Sequence, residues 1–266
     1  MNPIVAAIIG ILIIFIGTSL GSALVFFMKG KSFSSTINSI LTGFAAGVML
    51  AASIFSLIVP ALNDNSSSVI PLWVIVGGSV LLGAAFIWGI DKFVPHIHAS
   101  MQEEGLPTNR ISKNTKMFLA VTIHNIPEGL SVGIAFGVAL GNWNSNPEVA
   151  LAGAMMLAIG IALQNIPEGA IVSLCVKAET GKTGKSFLFG VLSGAVEPVA
   201  AVLGLFLAMQ LQVLMPYALS FAAGCMLYVI AEDMIPEMKA SSTRHHGVWA
   251  FLFGFVLMMV MDVALG

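Results

Sequence analysis

Apolar residues in this chain do not alternate with polar ones at the period of a half-buried strand or an amphipathic helix. They run on in long blocks separated by short polar connections. An apolar block of about 18 residues or more, wound at about 1.5 Å per residue, matches the hydrocarbon thickness of a bilayer. Eight such blocks occupy approximately residues 4–27, 37–62, 70–91, 116–140, 148–176, 186–209, 213–235 and 248–265. They predict eight transmembrane helices in an all-α, polytopic membrane protein, with residues 1–266 forming one transmembrane domain. The first block is too long for the core of a signal peptide and has no basic leader, so it reads as a retained span.

Composition agrees with the pattern. The chain is 58% apolar and 9% charged, against roughly 25% charged in an ordinary soluble domain. No basic tract points to nucleic acid, and the partner implied by composition is the lipid bilayer. Cys175 and Cys225 both fall inside apolar blocks and read as small buried hydrophobes. Charge adds an orientation. All 11 basic residues lie in alternate connections, from Lys29 and Lys31, through Lys92 to Lys116 and Lys177 to Lys185, to Lys239 and Arg244. By the positive-inside rule those connections are cytoplasmic, including the long one over 92–115, and both termini lie outside.

The sequence repeats itself. Phe44-Ala-Ala-Gly-Val-Met-Leu50 returns as Phe221-Ala-Ala-Gly-Cys-Met-Leu227, an offset of 177 residues that also carries Gly17 onto Gly194 and Gly77 onto Gly254. This aligns helices 1 to 3 with helices 6 to 8, and the basic connections make equivalent helices run in opposite directions. The expectation is a 3+2+3 arrangement with inverted repeats, as in secondary transporters.

The middle pair carries the chemistry. Residues 124–129 read His-Asn-Ile-Pro-Glu-Gly and residues 164–169 read Gln-Asn-Ile-Pro-Glu-Gly. Glu128 and Glu168 are thereby placed deep in spanning segments, where a charge costs about 2.5 to 3.5 kcal/mol on insertion scales and implies a partner, an ion or water. Each proline removes a backbone donor beside its own acid. His124 with Glu128, and Gln164 with Glu168, are spaced i,i+4 and share a helix face, with Asn125 or Asn165 one step round it. Glu197, followed by Pro198 in helix 6, joins these two acids, and Met49 in helix 2 offers a thioether. Glu232, Asp233 and Glu237 approach the cytoplasmic boundary, while Asp262 sits near the outer surface and reads as solvated. His96 and His98, in the long connection, read as solvated residues or as a weak metal-collecting site.

Imidazole, carboxylate, amide and thioether donors suit divalent first-row metals, zinc first. The same buried acids would also serve a proton relay. At these residues the chain resembles the ZIP family of metal-ion transporters, in the bacterial GufA-like branch, over essentially its whole length. The resemblance implies a metal centre between helices 4 and 5, import toward the cytosol across the bacterial inner membrane, and a homodimer. By matching position it implies His124, Asn125 and Glu128 as ligands from helix 4 and Gln164, Asn165 and Glu168 from helix 5. Met49 and Glu197 match flanking metal contacts, and Glu232 with Asp233 matches the helix 7 part of the pathway. Zn2+ is the expected cargo, with Cd2+, Fe2+, Mn2+ and Co2+ as alternatives, and no cofactor is expected. Some members carry an acid where this chain has Asn165, or a histidine where it has Gln164.

An enzyme is not expected. An intramembrane metalloprotease would need His-Glu-x-x-His, and Asn125 stands where its general base would be. The better rival is a proton-coupled carrier of a small organic substrate, but no Lys or Arg lies within a span, beyond Lys116 at the edge of one, to grip an anionic one.

Overall fold

A computed structural model describes residues 2–28, 33–64, 70–97, 103–105, 112–141, 147–210, 214–239 and 244–265. Among them are eight helices long and apolar enough to cross a membrane. We number these α1 (Pro3–Phe26), α2 (Ser35–Leu62), α3 (Leu72–Phe93), α4 (Lys113–Leu140), α5 (Pro147–Thr180), α6 (Thr183–Gln210), α7 (Met215–Lys239) and α8 (Arg244–Leu265). Between α3 and α4 a short antiparallel ladder pairs β1 (His96–Ile97) with β2 (Glu103–Glu104). Helix starts follow local chemistry. Asn2 accepts from the Ile4 amide at 2.9 Å with Pro3 in the first turn, and Ser34 and Ser112 cap α2 and α4.

In lipid the large apolar side chains gain nothing by turning inward, and close helix approach falls to small residues. On α1, Ile4, Ile8, Leu12, Ile16 and Leu20 face out, while Gly10, Gly17 and Gly21 are buried. Four helix pairs pack backbone against backbone, a glycine of one against a carbonyl of the other. Gly17 and Gly21 of α1 meet Ala162 and Ile166 of α5, and Gly129 and Gly133 of α4 meet Glu197 and Ala201 of α6. Gly47 of α2 meets Phe251 of α8, and Gly83 of α3 meets Phe221 of α7.

These pairs correspond under the internal repeat. The contact of α1 with α5 matches that of α6 with α4, and α2 with α8 matches α7 with α3. One register differs from the sequence reading. Gly254 faces the Phe44 carbonyl, and the residue facing the equivalent Phe221 carbonyl is Gly83; Gly77 has no neighbour in the space a side chain would fill. The packing counterpart of Gly254 is therefore Gly83, because a carbonyl contact fixes the match and two like letters at a shared offset do not.

Two helices widen into π turns at related places. In α2 the stretch Ala52–Ile58 closes with the Val59 amide on the Ile54 carbonyl, and in α7 the stretch Ile230–Met234 closes with the Ile235 amide on the Ile230 carbonyl. Each precedes a proline, Pro60 or Pro236. A proline ring crowds the carbonyl four residues back and offers it no donor, and a wider turn relieves that crowding.

Candidate metal centre

The doubled motif lies where α4 and α5 pack together, and its glycines hold it there. Gly129 sits against the Glu197 carbonyl of α6, and Gly169 sits against the Thr18 carbonyl of α1. Each glutamate of the motif is thus next to a point where a neighbouring backbone comes too close for any Cβ.

Around Glu128 the structure gathers one group of donors. Asn125, Glu128, Gln164, Asn165 and Glu197 are all fully buried. Asn125 Nδ2 donates to the Ser193 carbonyl at 3.0 Å and to Glu197 Oε1 at 3.1 Å. Thr18 Oγ1 donates to the same Glu197 oxygen at 2.6 Å. Gln164 Nε2 donates to Asn165 Oδ1 at 3.1 Å. After these bonds, Asn125 Oδ1, both oxygens of Glu128, Gln164 Oε1 and Glu197 Oε2 have no hydrogen-bond partner among the described residues. Shielded oxygens of this kind are costly unless a cation or proton satisfies them.

His124 heads a second group. Its Nε2 stands 3.0 Å from Asp233 Oδ2, which joins α4 to the π turn of α7. Glu168, only partly buried, and Glu237 both lie within electrostatic reach of His124, and Glu237 Oε1 accepts from Asn38 Nδ2 at 2.8 Å. The structure therefore divides the expected ligand set. Glu128, Asn125, Gln164, Asn165 and Glu197 stand together, His124 faces Asp233 of α7, and Glu168 lies within electrostatic reach of both groups, of Glu128 and Glu197 on one side and of His124 and Glu237 on the other. Among the described residues no three His, Cys, Asp or Glu side chains already converge as a metal site. Amides make up much of the first group, so acid and imidazole alone do not close a coordination shell.

The remaining candidates separate. Met49 is fully buried in α2 just ahead of its π turn. Glu232 is exposed and lines a cavity of about 470 Å³ with Trp88, Asp91, Lys92, Gly105 and Tyr228. His96 is not a solvated loop residue. It is fully buried, with Nδ1 2.7 Å from the Val94 carbonyl and Nε2 3.6 Å from Asp91 Oδ1. His98 lies outside the described residues.

Sequence reasoning missed three contacts. Thr18 bonds Glu197 from a helix with no charged residue, Asn38 bonds Glu237, and Asp262 Oδ1 accepts from Ser56 Oγ at 2.7 Å beside a cavity of about 190 Å³. Each joins residues more than 170 positions apart in the chain, and nothing local marks them.

The family profile described as "ZIP Zinc transporter" matches residues 4–117 and 115–262. The chain is 34% identical to "Zinc transporter ZIP11" of Xenopus tropicalis, covering all of this chain and 98% of that protein. It is 32% identical to "Zinc transporter ZIPB" of Bordetella bronchiseptica, over 95% of this chain and 79% of the relative. To "Zinc transporter GufA" of Myxococcus xanthus it is also 32% identical, over 80% and 81%.

Proposed function

Because the chain belongs to the ZIP family of metal-ion transporters, within its GufA-like branch, we propose that it imports divalent transition-metal cations into the cytoplasm. Zinc is the first choice, with Cd2+, Fe2+, Mn2+ and Co2+ as competitors. The cargo is bound between α4 and α5, and alternating access moves helix groups around that site. The observation that carries this reading is the set of shielded oxygens on Asn125, Glu128, Gln164 and Glu197 left without hydrogen-bond partners among the described residues. A divalent cation entering there exchanges its hydration shell for them, and the carboxylates compensate its charge where the dielectric is low.

From that cluster the acids continue in one direction. His124, Glu168, Asp233 and Glu237 form a chain of donors toward the end of α7 that carries Lys239. In our reading this is the exit, the lysine- and arginine-bearing connections are cytoplasmic, and both termini face outward. The buried His96 with Asp91, and His98, collect metal beyond it. Asp262 and Ser56, beside their small cavity at the other end, belong to the entrance. The helix pairs form a 3+2+3 inverted repeat, and the protein works as a homodimer in a bacterial inner membrane.

Purified protein in proteoliposomes enclosing a zinc-sensing dye tests this. Wild type should accumulate zinc and melt at a higher temperature with zinc than with chelator, since a ligand that binds only the folded state stabilises it. Glu128→Gln, which keeps shape and removes charge, should lose both uptake and the zinc-dependent shift. Uptake unchanged by that substitution would rule out the central site.

A further inference from the structure

Thr18 is a fully buried hydroxyl on a helix whose outer face is apolar and whose inner face carries Gly10, Gly17 and Gly21 and one further buried hydroxyl, Ser22. The packing of α1 on α5 already has its contacts through Gly17 and Gly21. Thr18 adds something else, a 2.6 Å hydrogen bond to Glu197 Oε1. That oxygen also accepts from Asn125 Nδ2 at 3.1 Å, whereas Oε2 is shielded and without a partner among the described residues. The two oxygens of one carboxylate are therefore unequal.

The hydroxyl is held as firmly as the acid. Ser22 Oγ donates to the Thr18 carbonyl at 2.8 Å and fixes the backbone, and Gly194, lacking a Cβ, leaves room for the threonine Cβ and methyl. A β-branched side chain with its methyl in that space has its χ1 determined, which aims Oγ1 at Glu197.

We propose that Thr18 is a specificity-determining positioning residue that confines Glu197 to offering the cargo a single oxygen. This rests on the reading above that Glu197 contacts the transported cation. Zinc takes few ligands at about 2.0 to 2.2 Å and suits a one-oxygen carboxylate, whereas cations accepting more oxygens gain from a carboxylate free to present both. Withdrawing Oε1 from the cargo thus favours the cation of lower coordination number. Partners that orient a ligating carboxylate are typically worth 10- to 100-fold in affinity or activity when removed.

The test compares Thr18→Val, which keeps the branched shape without the hydroxyl, with Thr18→Ser, which keeps the hydroxyl. Zinc uptake is measured in proteoliposomes against competing Cd2+ and Mn2+, and the melting shift given by each metal is measured on the same purified proteins. The valine variant should raise the KM for zinc roughly 10-fold and narrow the preference for zinc over Cd2+ and Mn2+ by a similar factor, and serine should restore both. Thr18→Ala removes the same hydroxyl in less volume and replaces valine if that variant does not fold. Wild-type KM and preference without the hydroxyl, while Glu197→Gln loses uptake, would overturn the proposal and leave the central site standing. Equal losses in the valine and serine variants would also overturn it, since a purely structural threonine behaves that way. If Glu197→Gln transports normally, the reading of Glu197 as a cargo contact falls, and this proposal with it.

Discussion

The Nε2 of His124 and the Oδ2 of Asp233 stand 3.0 Å apart and join α4 to α7, although the residues are 109 positions apart in the chain. On the proposed route this pair follows the acids around Glu128, and a cation leaving the centre would have to displace one of its members. Asp233→Asn should lower the maximal rate of zinc uptake about 10-fold with little change in KM, as expected when a transfer step and not binding is impaired. His124→Gln should instead raise KM. Because the two side chains touch, the double variant should lose less than the product of the single losses. Uptake kinetics on the four proteins check this, and independent effects would separate the pair functionally.

The doubled motif depends on two glycines that touch backbone. Gly129→Ala would drive a methyl group into the Glu197 carbonyl and Gly169→Ala into that of Thr18, while Gly77→Ala meets open space. Overfilling a tight contact costs about 1 to 3 kcal/mol. The first two variants should melt earlier and transport poorly, and the third should match wild type. Thermal melting of the three proteins in detergent is the measurement, and a Gly77→Ala variant as damaged as the others would contradict the assigned packing.

Pro236 sets the π turn that carries Glu232 and Asp233. Pro236→Ala restores a backbone donor able to reach the Glu232 carbonyl, which allows the turn to tighten to α-helical register. Tightening rotates Asp233 relative to His124. Zinc uptake should fall by an amount similar to that of Asp233→Asn, with the helix content by circular dichroism unchanged. Adding Pro236→Ala to Asp233→Asn should then cost little more.

Much of this was readable in the chain because it is local. Eight apolar blocks give eight helices, since a bilayer demands contiguous apolar length. The motif at 124–129 and 164–169 pointed to Glu128 and Glu168, and a proline after a buried acid pointed to Glu197. Thr18 was invisible because a threonine in an apolar helix has no signature of its own until Glu197 is folded against it. The separation of His124 from Glu128 was hidden for a related reason. The two share a helix face, but one turn apart they have different surroundings, Asp233 for the first and the buried acids Glu168 and Glu197 for the second. Gly77 misled because a letter match cannot tell a glycine that makes room for a carbonyl from one that faces nothing.

The repeat also has an electrostatic consequence. Thr18 and Glu197 hold matching packing stations, although the sequence offset of 177 pairs Thr18 with Ala195, since the carbonyl of each receives the glycine of one motif copy. A fully symmetric protein would put a carboxylate at both, giving four with Glu128 and Glu168 and two negative charges beyond a divalent cation. With threonine at one station the count is three, and the excess is one. If the three acids face the cargo as proposed, a single proton accompanying the cation would be enough for electroneutrality, and the loaded carrier would have no further charge to drag across the hydrocarbon.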